Sequence, residues 1–371
     1  MFLTHSLSWG IFFLTLISYL LIVFSVATYL ISLFFDLRYV KNLSRSSKYV
    51  NISGNSSMPF LFSFLMLILI WTSLWSGPSI TSCFGHLMFS SFERKMFLLV
   101  LISFSLYLVV YLSGSDFSNL QSFDYLITLY HLTYWLLFLF MSTNILTTAF
   151  IIEVLTSLVM LLLVTSFNSS TYCSQDNLRS NKISMVKIFN TTYLYTILTF
   201  FWTSLISTLI LFLFIILFYS KYFTMDWSLI DSLSSYFLNC SLFFELSSIS
   251  FSWSFVILSI FIKCAITPFY FWKVNFFKGM PLSLLFYYIS VFYFVLFFYF
   301  LYLIITLFTD ILFFNVFLFM LIVLLSTVLT PFILYETLNI KSFLALSSIM
   351  NSSLLLLVVL NTNSSAFYLF Y

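Results

Sequence analysis

Long apolar runs separated by short polar segments recur along the whole chain. A helix needs about 20 apolar residues to cross the hydrocarbon core of a bilayer. Ten stretches meet that need: 9–35, 59–76, 96–113, 124–142, 144–165, 192–219, 251–271, 283–308, 311–334 and 342–360. The breaks between them carry loop chemistry. Asp36 to Ser57 and Asn168 to Lys187 are Ser/Asn-rich and basic, and Asp226 to Ser250 is a longer polar–aromatic stretch before the seventh span. The fourth and fifth spans almost fuse, so Thr143–Asn144 reads as a tight turn. Strands of a membrane barrel alternate apolar and polar residues over about 10 positions, whereas Ile11 to Phe35 is nearly continuous apolar sequence. Only helices and closed barrels satisfy their backbone groups in lipid. The pattern therefore predicts an all-α, polytopic membrane protein of about ten transmembrane helices.

Composition sharpens this picture. Of 371 residues, 62% are hydrophobic and 7% charged, against about 25% charge in a soluble domain, which excludes a string of soluble domains. A net charge of +3 is too small to point to nucleic acid, and no such partner is expected. The four cysteines, Cys83, Cys173, Cys240 and Cys264, show no metal or redox spacing. Met1 to Gly10 lacks a basic n-region and a small-residue cleavage site, so the first run reads as a retained helix. Phenylalanine (52) and tyrosine (24) are abundant while glycine (6) and proline (5) are scarce, a bias expected of an A/T-rich organellar genome. Lysine and arginine set the orientation. The odd-numbered loops hold ten (Arg38, Lys41, Arg45, Lys48, Arg179, Lys182, Lys187, Lys273, Lys278 and Lys341) and the even-numbered loops three (Arg94, Lys95 and Lys221). Odd loops are thus expected inside, which in a mitochondrion is the matrix, with both termini on the intermembrane-space side.

With charge so scarce, an ionisable residue within a span needs a reason, since it costs about 2.5–3.5 kcal/mol at mid-bilayer on insertion scales. Glu153 lies near the middle of the fifth span and Lys263 in the seventh. Either can be a structural polar contact satisfied by a neighbouring helix or by snorkelling. Pro268, five residues past Lys263, removes a backbone hydrogen bond and breaks the helix there, and broken helices at membrane depth line hydrated cavities. Desolvation and a neighbouring carboxylate pull a lysine toward opposite protonation states, which suits a Glu–Lys pair to proton exchange. His131 and Asp124 fall in the fourth span; His131 can extend a proton path or simply bond a neighbouring helix. Asp310 and Glu336 lie at span ends, and Glu245 in the loop before the seventh span. Thr147 and Thr148 are expected to bond their own backbone.

Three stretches resemble one known family. Lys263-Cys-Ala-Ile-Thr-Pro268-Phe269-Tyr270-Phe271-Trp272, followed by Gly279-Met-Pro281, is similar to the lysine, Pro-Phe-His-x-Trp and Gly-Ala-Pro signature of NADH dehydrogenase subunit 2, a membrane-arm subunit of respiratory complex I. Ser142-Thr-Asn144-Ile-Leu-Thr147 leading to Glu153-Val-Leu-Thr-Ser-Leu resembles that family's fifth helix. Asn339-Ile-Lys341-Ser-Phe-Leu-Ala345-Leu-Ser347-Ser348-Ile349 resembles the segment that leads into its tenth.

The resemblance implies an antiporter-like chain built from two inverted five-helix repeats. Residues 1–123 would hold the three N-terminal helices. Residues 124–308 would hold a complete first repeat, with its broken helix near Pro268, and 309–371 the start of a truncated second repeat. Glu153 and Lys263 would be the proton-translocation pair, with His131, Tyr270 and Tyr293 as candidate relay groups. The chain would bind no cofactor, while the complex as a whole uses NADH, FMN, iron–sulfur clusters and ubiquinone. Expected partners are NADH dehydrogenase subunits 4L and 4, a separate chain supplying the missing C-terminal helices, and membrane lipids such as cardiolipin near the basic loops. The expected location is the mitochondrial inner membrane. Departures are visible too: Tyr270 stands at the family histidine, Asn275 at an aspartate, Tyr293 near the eighth-helix lysine and Ser342 at a basic position. These keep two other readings open, a structural complex I subunit that no longer pumps and a free-standing secondary transporter.

Overall fold

In lipid a chain closes its backbone hydrogen bonds inside helices, and in the computed structural model of this protein the described residues from Ser91 onward are mostly helical. It describes residues 80–361 except 83–84, 114–122, 176–182, 240–242, 308, 336 and 338. The expected spans 9–35 and 59–76, with the loop between them, lie outside the described residues.

A short antiparallel hairpin comes first, β1 (Ile80–Ser82) and β2 (Leu87–Phe89), with Ile80 opposite Phe89. The helices follow as α1 (Ser91–Ser113), α2 (Phe123–Met141), α3 (Ile145–Gln175), α4 (Ile183–Tyr222), α5 (Trp227–Asn239), α6 (Phe243–Cys264), α7 (Phe271–Gly279) and α8 (Leu282–Tyr287). A π-helical segment, Tyr288–Tyr293, then runs into α9 (Phe294–Leu307), followed by α10 (Thr309–Tyr335) and α11 (Ile340–Asn361). The described residues thus form an all-α membrane protein bearing one small hairpin. Ile145–Thr165, Tyr193–Tyr222, Leu284–Ile304 and Ile340–Leu357 are long and apolar enough to span a bilayer. Thr128–Met141, Phe251–Cys264 and Met320–Tyr335 are apolar but shorter.

The seventh span, 251–271, falls into α6, which ends at Cys264, and α7, which starts at Phe271, with Pro268 between them. Two features depart from the expected pattern. The stretch 226–250, read as a loop, holds all of α5 and the first turns of α6. The hairpin at 80–89 has no counterpart among the expected elements. Its strands have three residues each, too short for alternation to register.

The described residues fall into two units. The first contains the hairpin, α1, α2, α3 from Val154, and Phe286–Phe292. Here α1 opens on a capping box: the Ser90 amide donates to Glu93 Oε2 at 2.6 Å, the Ser90 hydroxyl donates to the same oxygen, and the Phe92 amide donates to Ser90 Oγ. The Thr143 amide and hydroxyl donate to the carbonyls of His86 and Gly85, tying the end of α2 to the hairpin. Tyr287 packs edge-on against Phe104 and Tyr107.

The second unit contains Asn144–Glu153, α4 to Leu285, and Tyr293 onward. Within it α4 packs on α6 and α7, and α11 on α10 and α7. Most serine and threonine hydroxyls bond their own helix, as Thr147 and Thr148 do to the carbonyls of Asn144 and Ile145. Ser259 differs, donating from α6 across to the Ser207 carbonyl of α4 at 2.9 Å. The far side of α4 turns Leu198, Trp202, Leu209 and Ile216 outward, the surface a helix offers to acyl chains. Gly279 closes α7 against α4, where a β-carbon would run into the Thr196 side chain.

Gly279→Ala is therefore expected to destabilise the fold by about 1–3 kcal/mol, the usual cost of overpacking. It should appear as a lower unfolding temperature of the purified chain, partly restored by adding Thr196→Ala. An unchanged unfolding temperature would contradict the packing.

Candidate functional site

Proline at 268 carries no N–H, so the carbonyl four residues earlier, Cys264, has no helical donor. α6 ends at that residue. Ala265 takes a left-handed φ of 58° and Thr267–Pro268 is cis. The chain then turns through Ala265 N to Ile262 O, Ile266 N to Phe261 O and Phe269 N to Ile266 O before α7 begins. Two side chains supply donors that the broken helix lacks. The Tyr293 hydroxyl donates to the Cys264 carbonyl at 3.1 Å, and Trp272 Nε1 donates to the Ile262 carbonyl at 2.9 Å. Buried polar groups find partners in this way because an unmet one is costly.

Lys263 is the penultimate residue of α6. Its stem is half-buried, and its Nζ is enclosed without a hydrogen-bond partner among the described residues. The Glu153 carboxylate acts on it electrostatically. Glu153 is itself half-buried on α3, with Oε1 enclosed. The start of α3 is fixed to the α4–α5 connection, where the Ile145 amide donates to the Met225 carbonyl at 3.0 Å and Asn144 bridges to Asp226. So the carboxylate and the ammonium, 110 residues apart in sequence, are brought into one electrostatic neighbourhood.

The other predicted residues are placed as follows. Pro268 lies in the connection between α6 and α7 with its ring exposed. Tyr270 sits at the N-terminal edge of α7, half-buried, its ring stacked on Phe271 at 4.1 Å. Tyr293 is buried at the end of the π-helical segment, bonded to the break as described. His131 is buried in α2 of the first unit, edge-on to Tyr130. Of the set, Glu153, Lys263 and Tyr293 bear on the break in the second unit. Among the described residues no three His, Cys, Asp or Glu side chains gather as a metal site.

Lys273 corrects the sequence reading. Counted there as a loop lysine marking the inner side, it is fully buried on α7 together with Trp272, Phe276 and Phe277. Its Nζ has no hydrogen-bond partner among the described residues and lies 3.3 Å from the centroid of the Tyr293 ring and 5.9 Å from that of Phe277. Both Lys263 and Lys273 act electrostatically on the buried Cys264 thiol. The signal was helical spacing: Lys273, Phe276 and Phe277 share one face of α7, and that face is the buried one. Lys341, also counted as a loop residue, is half-buried in the first turn of α11 and donates to the Met280 carbonyl at 2.6 Å, holding the end of α7 in place.

No family model matches the sequence, and no curated protein does. The fold, in contrast, is found in solved structures. A chain of the membrane-bound sulfane sulfur reductase, an archaeal respiratory membrane complex, matches with a TM-score of 0.60 at 14% identity, over 81% of this chain and 58% of its own. A chain of respiratory complex I from Thermus thermophilus matches at 0.57 and 16%, over 82% and 59%. A chain of the Mrp complex from Dietzia sp. matches at 0.60 and 12%, over 84% and 55%. This is the fold of membrane chains in respiratory and Mrp complexes. The protein spans a little over half the length of each of these chains.

The indole hydrogen bond across the break is the contact easiest to remove alone. Trp272→Phe leaves the Ile262 carbonyl with the Ala265 amide as its donor and is expected to cost about 0.5–1.5 kcal/mol, the net worth of one hydrogen bond, read as a fall in unfolding temperature. An unaffected unfolding temperature would mean that the break is held by other contacts.

Proposed function

We propose that this chain is a proton-translocating membrane-arm subunit of a respiratory NADH:quinone oxidoreductase, of the subunit 2 type, working in the mitochondrial inner membrane. One observation carries the reading: a lysine with an enclosed ammonium at the end of a broken helix, under the field of one intramembrane carboxylate. Ionisable residues within membrane spans are costly, and where they persist they mark ion and proton pathways. The fold shared with chains of respiratory complex I and of the Mrp complex supports it. So do the three stretches around Glu153, Lys263 and Lys341, which keep the family's order.

In this reading the chain performs no redox chemistry; NADH, flavin, iron–sulfur clusters and ubiquinone belong to the rest of the complex. Quinone reduction elsewhere shifts the Glu153–Lys263 pairing. While Glu153 is ionised and near, the Lys263 ammonium is stabilised; when the pairing weakens, desolvation favours the amine and a proton leaves. Subunits 4L and 4 are the proposed neighbours, with anionic lipid at the basic loops.

Lys263→Met keeps the length and bulk of the side chain and removes the titrating group. Protons moved per NADH oxidised by membranes carrying the assembled complex are expected to fall to about half or less, as when an interaction specific to the working step is removed. Glu153→Gln should fall in the same direction. An unchanged proton yield in assembled Lys263→Met would make the chain a structural subunit.

A further inference from the structure

Lys273 has no task in the reading above, yet its placement is unusual. It is 0% exposed and its Nζ meets no hydrogen-bond acceptor among the described residues. A buried lysine kept for structure would be bonded or ion-paired. This one has an aromatic face instead: its Nζ is 3.3 Å from the Tyr293 ring centroid, inside the range where a ring's quadrupole attracts a cation. The Tyr293 hydroxyl is committed to the Cys264 carbonyl, so the ring face, not the phenol oxygen, meets the lysine.

We propose that Lys273 is a second proton-carrying group of this site, and that the Tyr293 ring is the seat on which its ammonium rests. The proposal rests on the function inferred above for Glu153 and Lys263. Tyr293 joins the two lysines: its hydroxyl meets the carbonyl of Cys264, the residue after Lys263, and its ring meets Lys273 Nζ, and like charges in so enclosed a space disfavour each other. In the proposal the two lysines share one proton, so that one is an ammonium while the other is an amine. The proton has two resting places. On Lys263 it faces the Glu153 carboxylate; on Lys273 it faces the Tyr293 and Phe277 rings. In the transfer, the Lys263 ammonium loses one proton and becomes an amine, and the Lys273 amine gains it and becomes an ammonium. Net charge is unchanged. The α6–α7 break allows this, because it brings the end of α6 and the lysine of α7 to one side chain, Tyr293.

The test uses membranes carrying the assembled complex, measuring protons moved per NADH, NADH oxidation and the amount of complex. Lys273→Met and Lys273→Arg are each expected to reproduce the loss seen in Lys263→Met to within about twofold. Arginine keeps the charge but cannot release a proton, so a merely structural cation would tolerate it. Tyr293→Leu should lose more yield than Tyr293→Phe, because both lose the hydroxyl and only leucine loses the ring. A wild-type yield in Lys273→Met, with Lys263→Met impaired, overturns the proposal and leaves the Glu153–Lys263 reading standing. A wild-type yield in Lys263→Met overturns that reading itself. If neither Lys273 variant assembles, equal yields in Tyr293→Leu and Tyr293→Phe overturn the proposal, and a larger loss in leucine supports it.

Discussion

Burying an ammonium in a low-dielectric interior costs several kcal/mol unless something nearby answers its charge. The second unit encloses two lysine Nζ groups, on either side of one proline. Lys263 is answered by Glu153 and Lys273 by the face of Tyr293. Everything around the α6–α7 break is arranged to make those two answers available. Ser259 fastens α6 to α4, the close approach at Gly279 fastens α7 to α4, and Lys341 fastens the end of α7 to α11. Without these anchors a short helix such as α7, nine residues long, could not hold a charged side chain in the bundle's interior, because so few turns carry little stability of their own.

The break itself is a problem in hydrogen-bond accounting. Proline at 268 denies Cys264 its helical donor, and the left-handed turn at Ala265 leaves the last turn of α6 with carbonyls to satisfy. Tyr293 and Trp272 answer two of them from outside the helix. Tyr293 thus does two jobs with two parts of one side chain, the hydroxyl for the backbone and the ring for a cation. A phenol is suited to both because its polar tip and apolar body are separate surfaces.

Much of this was legible in the sequence. The apolar runs at 96–113, 124–142, 144–165, 192–219, 283–308, 311–334 and 342–360 become helices, because a lipid environment leaves the backbone no alternative. Pro268 marked the break, and the scarcity of charge singled out Glu153 and Lys263. The misses have physical causes. α5 is short and half polar, so it does not stand out as a span; Trp227 and Ile230 are buried along it. Lys273 looked like a loop lysine because it follows a proline break and has Lys278 nearby. Its burial depends on where α4 and α11 place α7, and no local pattern contains that. Whether Glu153 lies near Lys263 is likewise a tertiary matter that no local pattern contains, and the start of its helix is pinned to the α4–α5 connection through Asn144 and Ile145.

The central claim is that charges at a broken helix exchange protons within a respiratory membrane complex. A high-resolution cryo-EM map of the NADH-oxidising membrane complex from the source organism tests it most directly, because it shows both membership and hydration. The account predicts this chain in the map, ordered water between the Glu153 carboxylate and the Lys263 ammonium, and Lys273 Nζ against the Tyr293 ring. A chain missing from every NADH-active complex, or a Lys263 turned to lipid amid dry aromatic packing, would contradict it.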